Sequence, residues 1–283
     1  MNRKIESIST SKPTIEGAGV HLKRAFGYNE VPLLDPFLLL DDFRSNNPAD
    51  YLAGFPWHPH RGIETVTYML EGTVEHGDSM GNKGIIAAGD VQWMTAGSGI
   101  IHQEMPKGIN GRMGGFQLWV NLPSTHKMME PRYRGILNEQ IPETGKKIKI
   151  RVISGEVDGI KGPVEDLVVD TEYLDVTLAP NTEFEHSIKK GYRAFAYVIE
   201  GSGYFESGKS GSIGNGHLVI FKDGDKVKIS ADEKGLRFLL ISGKPLGEPV
   251  AWYGPIVMNT REELEIAFEE YRNGTFIKKK VKL

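Results

Sequence analysis

Short apolar runs, each closed by glycine, proline or an acidic turn, recur along the chain, and that rhythm predicts strands rather than helices. Residues 1–33 read as short strands and turns punctuated by Gly17, Gly19 and Gly27. Leu34-Asp35-Pro36-Phe37-Leu38-Leu39-Leu40-Asp41-Asp42-Phe43 then has a continuous apolar middle between acidic residues, as a buried strand does. Residues 44–54 are polar and loop-like. Thr65 to Leu70 predicts a strong strand turned by Glu71-Gly72, with further strands at Thr73 to Glu75, Ile85 to Ala88, Val91 to Met94 and Phe116 to Leu122. Residues 124–142, with Pro131 and Pro142, read as an irregular connection between halves. The chain changes character near its end. Thr260-Arg261-Glu262-Glu263 fits a capping box, and Leu264, Ala267, Phe268 and Tyr271 follow at the spacing of one helical face before Asn273-Gly274. Pro245 to Pro255 is long and proline-punctuated, suited to crossing from one module to pack against the other.

The second half echoes the first. Tyr68-Met69-Leu70-Glu71-Gly72 matches Tyr197-Val198-Ile199-Glu200-Gly201, and Gly89 with Val91-Gln92-Trp93-Met94 matches Gly216 with Leu218-Val219-Ile220-Phe221, at nearly equal offsets. Two copies of one β module are expected, divided as residues 1–137 and 138–283.

Composition narrows the chemistry. With Gly 34 and Pro 15 in 283 residues, a turn-rich β architecture is favoured over a helical one. A formal net charge of −3 gives no electrostatic case for direct nucleic-acid binding. The basic cluster Lys278, Lys279, Lys280 and Lys282 reads as a solvated end. No cysteine is present, so disulfides, thiolate nucleophiles and thiolate metal sites are excluded. The first residues lack the apolar core of a signal peptide and no run suits a membrane span, so a soluble cytoplasmic protein is expected.

Against that background one stretch carries chemistry. In Phe55-Pro56-Trp57-His58-Pro59-His60-Arg61-Gly62-Ile63-Glu64, His58 and His60 are two positions apart. On a strand they share a face, with Cα atoms about 6.6 Å apart at about 3.3 Å per residue. Pro56 and Pro59 lack backbone donors, which predicts an edge strand. In Gly97-Ser98-Gly99-Ile100-Ile101-His102-Gln103-Glu104, His102 and Glu104 share a face by the same parity. His58, His60, His102 and Glu104 together make three imidazoles and a carboxylate, a donor set for a divalent first-row metal with two positions left open in octahedral geometry.

Glu64 has the parity of His58 and His60, yet Arg61 and nearby groups offer it ordinary ion pairing, and it is left outside the set. His21, His76, His126 and His217 have no partner pattern. Trp57, Tyr68, Met69, Trp93, Met94, Phe116 and Trp119 read as core or pocket wall. At the repeat offsets His58, His60 and Glu64 fall on Ser187, Lys189 and Arg193, while His102 and Glu104 fall on Ile229 and Ala231. His186 is one residue out of register, which reverses its face. The second copy is expected to be metal-free.

The stretches Leu34 to Phe43, Phe55 to Thr65, Gly97 to Met105 and Pro245-Leu246-Gly247-Glu248-Pro249-Val250, with Tyr253-Gly254-Pro255 and Met258-Asn259-Thr260, resemble the pirin family of bicupins. The resemblance implies an all-β fold of two cupin-type β-barrels face to face, with a short C-terminal α-helix. It also implies one metal ion per chain, Fe(II), held in the N-terminal barrel by His58, His60, His102 and Glu104. The general cupin pattern is matched less closely. Thr95 stands where cupins carry a proline, and Glu64 stands at the spacing of the general cupin ligand, whereas pirins take their carboxylate from the later stretch, here Glu104. The activity implied is that of a quercetin 2,3-dioxygenase-like oxidoreductase taking a small flavonol-like aromatic substrate and dioxygen, with Glu104 as catalytic base. The alternative is an iron-dependent, redox-sensing regulator acting through a protein partner such as a transcription factor. A sugar- or small-acid-binding cupin is a third reading, which no phosphate or sugar motif supports.

Overall fold

This computed structural model describes residues 1–206 and 211–278, so the expected basic cluster lies outside the described residues except for Lys278. The chain forms two compact units that are interleaved in sequence. One comprises residues 13–29, 37–138 and the segment from Leu246; the other comprises 1–12, 30–36 and 139–245. A single cut at 137/138 therefore differs from the structure at both ends of the chain. The N-terminal strand Ile5–Thr10 pairs antiparallel with His217–Phe221, satisfying an edge that would otherwise leave a row of backbone groups unpaired. The C-terminal segment follows the proline-rich crossing into the unit that holds the histidines.

Among the described residues that unit contains two multi-stranded antiparallel sheets and the short hairpin Ala251–Tyr253 with Ile256–Met258. The larger runs in the order Arg132–Ile136, Val91–Thr95, Ile63–Glu71, Gly114–Asn121, Phe37–Asp42, Val20–Phe26 and Lys12–Glu16. The smaller runs Phe55–His60, Ile100–Lys107, Thr73–Asp78 and Lys83–Ala87. Phe55–His60 is an edge strand, as its two prolines require. The stretch read as an irregular connection carries the strand Arg132–Ile136, paired with Val91–Thr95. Its alternation is of arginines with Tyr133 and Gly135 rather than of apolar with polar residues, so hydrophobic periodicity could not mark it.

The repeat is visible in the pairing. Tyr68 lies opposite Val91, and Tyr197 lies opposite Leu218, so the two sequence matches occupy equivalent places in each unit. The interior of the other unit is apolar, built from Val152, Leu174, Val198, Ile229, Phe238 and Leu240. Each such side chain contributes roughly 1.5–3 kcal/mol on burial. Ile229 and Ala231, counterparts of His102 and Glu104, belong to this core. His186 is bonded at 2.8 Å to Glu172.

The helix Arg261–Arg272 begins with the expected capping box, Thr260 accepting from the Glu263 N–H and Glu263 accepting from the Thr260 N–H. Leu264 and Ala267 are buried with Ile256, Met258 and Phe276, Phe268 is partly buried, and Tyr271 lies edge-on to Phe276. Among the described residues no helix is long and apolar enough to cross a membrane.

Candidate metal centre

The smaller sheet brings His58 and His102 directly opposite each other on neighbouring strands. A register irregularity follows between His102 and Glu104, where Glu104 pairs with Phe55. The side-chain alternation of Ile100–Lys107 nevertheless survives, so His102 and Glu104 are both buried. The ligand-type nitrogens of His58, His60 and His102 all lie within 4.8 Å of one another.

Hydrogen bonds fix which ring atoms face inward. His58 Nδ1 is 2.8 Å from the Pro56 carbonyl, and His60 Nδ1 is 3.0 Å from the Pro255 carbonyl. A carbonyl only accepts, so each Nδ1 carries the proton and each Nε2 presents a lone pair. Those two Nε2 atoms stand 3.1 Å apart. Two lone pairs at that distance repel unless something positive lies between them. Ligands about 2.1 Å from an ion and at right angles to each other are about 3.0 Å apart, which matches. Both ring nitrogens of His102 are buried without a hydrogen-bond partner, an arrangement that costs about 1–3 kcal/mol unless a ligand satisfies it. Burial, aided by the neighbouring His58, pushes His60 down to about 3. Burial and then His60, His58 and His76 hold His102 well below the usual range. Neutral imidazoles are the form a metal needs. On these grounds the three rings fit a divalent ion.

Glu104 does not join the three-ring group. Its carboxylate is held by Thr67 Oγ1 on Oε1 and by Gln117 Nε2 on Oε2, both at 3.1 Å. Gln117 in turn accepts from the Trp119 indole at 3.1 Å, which fixes its amide orientation. Trp119 meets the His60 ring edge-on at 5.0 Å between centroids.

Glu64 goes elsewhere, although its parity matched that of the histidines. Gly62, at φ 78°, turns the chain out of the smaller sheet before Ile63–Glu71 begins in the larger one. Parity does not carry across that break. Within Ile63–Glu71, Glu64 and Thr67 are three apart and face opposite ways, and it is Thr67 that reaches Glu104. Glu64 accepts from Thr95 Oγ1 at 2.5 Å, with Arg132 and Arg134 nitrogens 3.8 and 3.7 Å away. Thr95, which stands where cupins carry a proline, and Glu64, which stands at the general cupin ligand spacing, are thus bonded to each other.

Sequence reasoning missed His76. It is buried opposite Glu104, its ring 5.5 Å from His102 and stacked on Tyr133 at 5.0 Å. Only the long-range pairing of Thr73–Asp78 with Ile100–Lys107 places it there. Trp57, read as core or wall, is half exposed, whereas Tyr68, Met69, Trp93, Met94 and Phe116 are fully buried.

Beside the rings a cavity of about 650 Å³ opens, lined by His58, His60, Thr67, Glu104, Gln117 and Trp119 among others. Two cupin-type β modules, with a histidine cluster beside a cavity in the one that holds residues 37–138, define a bicupin. More narrowly, this chain belongs to the pirin family: the model described as Pirin matches residues 19–120, and that of the Pirin C-terminal cupin domain matches 173–277. A pirin-like protein of Caulobacter vibrioides is 44% identical over 277 residues, spanning 97% of this chain and 99% of its own. The crystal structure of a quercetin 2,3-dioxygenase from Acinetobacter baumannii superposes with a TM-score of 0.90 at 33% identity, over 98% of this chain and 99% of that one. A bacterial pirin from Escherichia coli in complex with nickel(II) gives 0.64 at 25% identity, over 84% and 100%.

Proposed function

We propose that this chain is a metal-dependent dioxygenase of the quercetin 2,3-dioxygenase type, with Fe(II) as the metal, His58, His60 and His102 as its ligands, and Glu104, which stands outside the three-ring group here, as the fourth ligand when the ion binds. The observation that carries it is the convergence of three imidazoles beside a cavity whose wall includes a buried, doubly bonded carboxylate. A bound divalent ion supplies Lewis acidity there.

The protein's own residues do the rest. The cavity lies within the range of sites that bury a small organic ligand, and Leu22, Leu39, Phe55 and Trp252 give it apolar walls for an aromatic ring system. Glu104, held by Thr67 and Gln117, takes the proton of the substrate's reacting hydroxyl on a carboxylate oxygen, a general-base role. The two donors hold its carboxylate in one orientation, so that oxygen is already placed when the substrate arrives.

The test is metal analysis of the purified chain, anaerobic reconstitution with Fe(II), and oxygen uptake with quercetin. One metal per chain and uptake at neutral pH are expected. Glu104→Gln should retain metal and lose about 10²–10⁴-fold in rate. Full-rate cleavage by metal-loaded Glu104→Gln refutes the base assignment. No uptake by any fully metallated form moves the reading to the regulator acting through a protein partner.

A further inference from the structure

The cavity has a second polar end. Asp41 and Arg24 line it together with Glu16. Arg24 donates from Nε to Asp41 Oδ1 at 2.8 Å and from Nη2 to Oδ2 at 2.7 Å, and Nη2 also lies 2.9 Å from Glu16. One guanidinium between two carboxylates leaves that end with a net charge of −1. Val20, Leu22 and Leu39 are among the apolar residues that also line the cavity.

Strand register ties the two ends together. Arg24 pairs with Asp41, Asp41 with Gln117, and Gln117 with Thr67, giving one row across four neighbouring strands of the larger sheet. Directly paired residues on antiparallel strands share a face. Gln117 and Thr67 are the donors that hold Glu104. Asp41 therefore lies one strand spacing, about 4.8 Å, beyond Gln117, and Arg24 one further. The row leads from the base to the charged pair along the cavity wall.

We propose that Asp41, set by Arg24 and Glu16, receives a hydrogen-bond donor on the part of the substrate remote from the metal, so that the site selects polyphenols carrying a hydroxyl there. This rests on the flavonol reading above. The two bonds from Arg24 use two of the roughly four lone-pair positions of a carboxylate, leaving acceptor capacity toward the cavity. Burial pushes the Asp41 carboxyl up to about 6 even with Arg24 bonded to it, so at pH 8 it is an anion held away from water, where an incoming donor is worth most. A donor is also what a net-negative pocket attracts. A substrate carboxylate is repelled.

The experiment compares quercetin with 3-hydroxyflavone, which keeps the reacting hydroxyl but has none on either outer ring. Binding to the Ni(II)-loaded full chain is measured anaerobically at pH 8 by tryptophan quenching, so turnover is not the readout. Wild type should bind quercetin about tenfold or more tightly than 3-hydroxyflavone. Asp41→Asn should shrink that ratio to about twofold while leaving 3-hydroxyflavone affinity in place, a split that a merely structural ion pair would not give. Glu16→Gln, at a half-exposed position, should reduce the ratio in part and carries the test if Asp41→Asn fails to fold. A ratio near one in wild type, or a ratio unchanged in the folded variants, overturns this inference and leaves the dioxygenase reading standing. A wild type that binds neither compound overturns both.

Discussion

Gly62→Ala puts the link between the C-terminal segment and the metal centre to a direct test. Gly62 sits at φ 78°, and a Cβ there would lie 1.9 Å from the Val257 carbonyl oxygen and 3.3 Å from Lys127 Nζ. The obstructing atom is backbone, so no rotamer change relieves it, and the segment around Val257 must move away. Three bonds hold that segment in place. The Val257 N–H donates to the Arg61 carbonyl at 3.1 Å, Lys127 Nζ donates to the Val257 carbonyl at 2.9 Å, and His60 Nδ1 donates to the Pro255 carbonyl at 3.0 Å. Losing them costs roughly 1 kcal/mol each, and a left-handed alanine adds about 1–2 kcal/mol. The expected destabilisation is about 4–5 kcal/mol. The functional consequence is separate, because the Pro255 carbonyl is what fixes the tautomer and tilt of His60, and loss of such a partner lowers metal affinity about 10–100-fold. Urea unfolding followed by tryptophan fluorescence reads the first quantity, and Ni(II) competition against a chelator reads the second. A variant that is destabilised yet binds Ni(II) within about twofold of wild type refutes the claim that this segment orients His60.

Thr260→Ala is the control for general loosening of the same segment: removal of the cap should cost about 1 kcal/mol in urea unfolding with Ni(II) affinity unchanged. His102→Leu should abolish Ni(II) binding in the same competition assay. The metal-free form should stay at least as stable as wild type, because a buried ring with two unpartnered nitrogens is replaced by an apolar side chain. For pH dependence, the Asp41 carboxyl is raised from 3.8 to about 6 on folding. Its stabilising contribution is therefore fully present below about 3.8 and lost as pH rises through 6, a change of roughly 3 kcal/mol. Unfolding free energies of wild type and Asp41→Asn measured from pH 3 to 7 should diverge by that amount, and parallel curves would contradict it.

Much of this protein can be read locally. The spacing His58-x-His60 and His102-x-Glu104 gives side-chain direction within a strand, because successive residues of a strand alternate faces whatever the strand pairs with. Pro56 and Pro59 specify an edge because a missing N–H is missing in any fold. Thr260 and Glu263 specify a helix start through bonds that span one turn. The repeat located equivalent strands, and the match of Tyr68 with Tyr197 reappears as matched pairing with Val91 and Leu218.

What parity could not do was cross a turn. Glu64 shared the parity of the histidines in the sequence, yet Gly62 delivers it to another sheet and another face. Nor could local pattern find groups that arrive from afar. His76, Gln117 and Asp41 reach the site through strand register, and the carbonyl that orients His60 comes from Pro255, 195 residues away. Backbone alternation is set by neighbouring residues, so the direction of each candidate ligand belongs to the sequence. Which strands lie side by side depends on closing the sheets around a shared core, so the company each ligand keeps belongs to the tertiary structure.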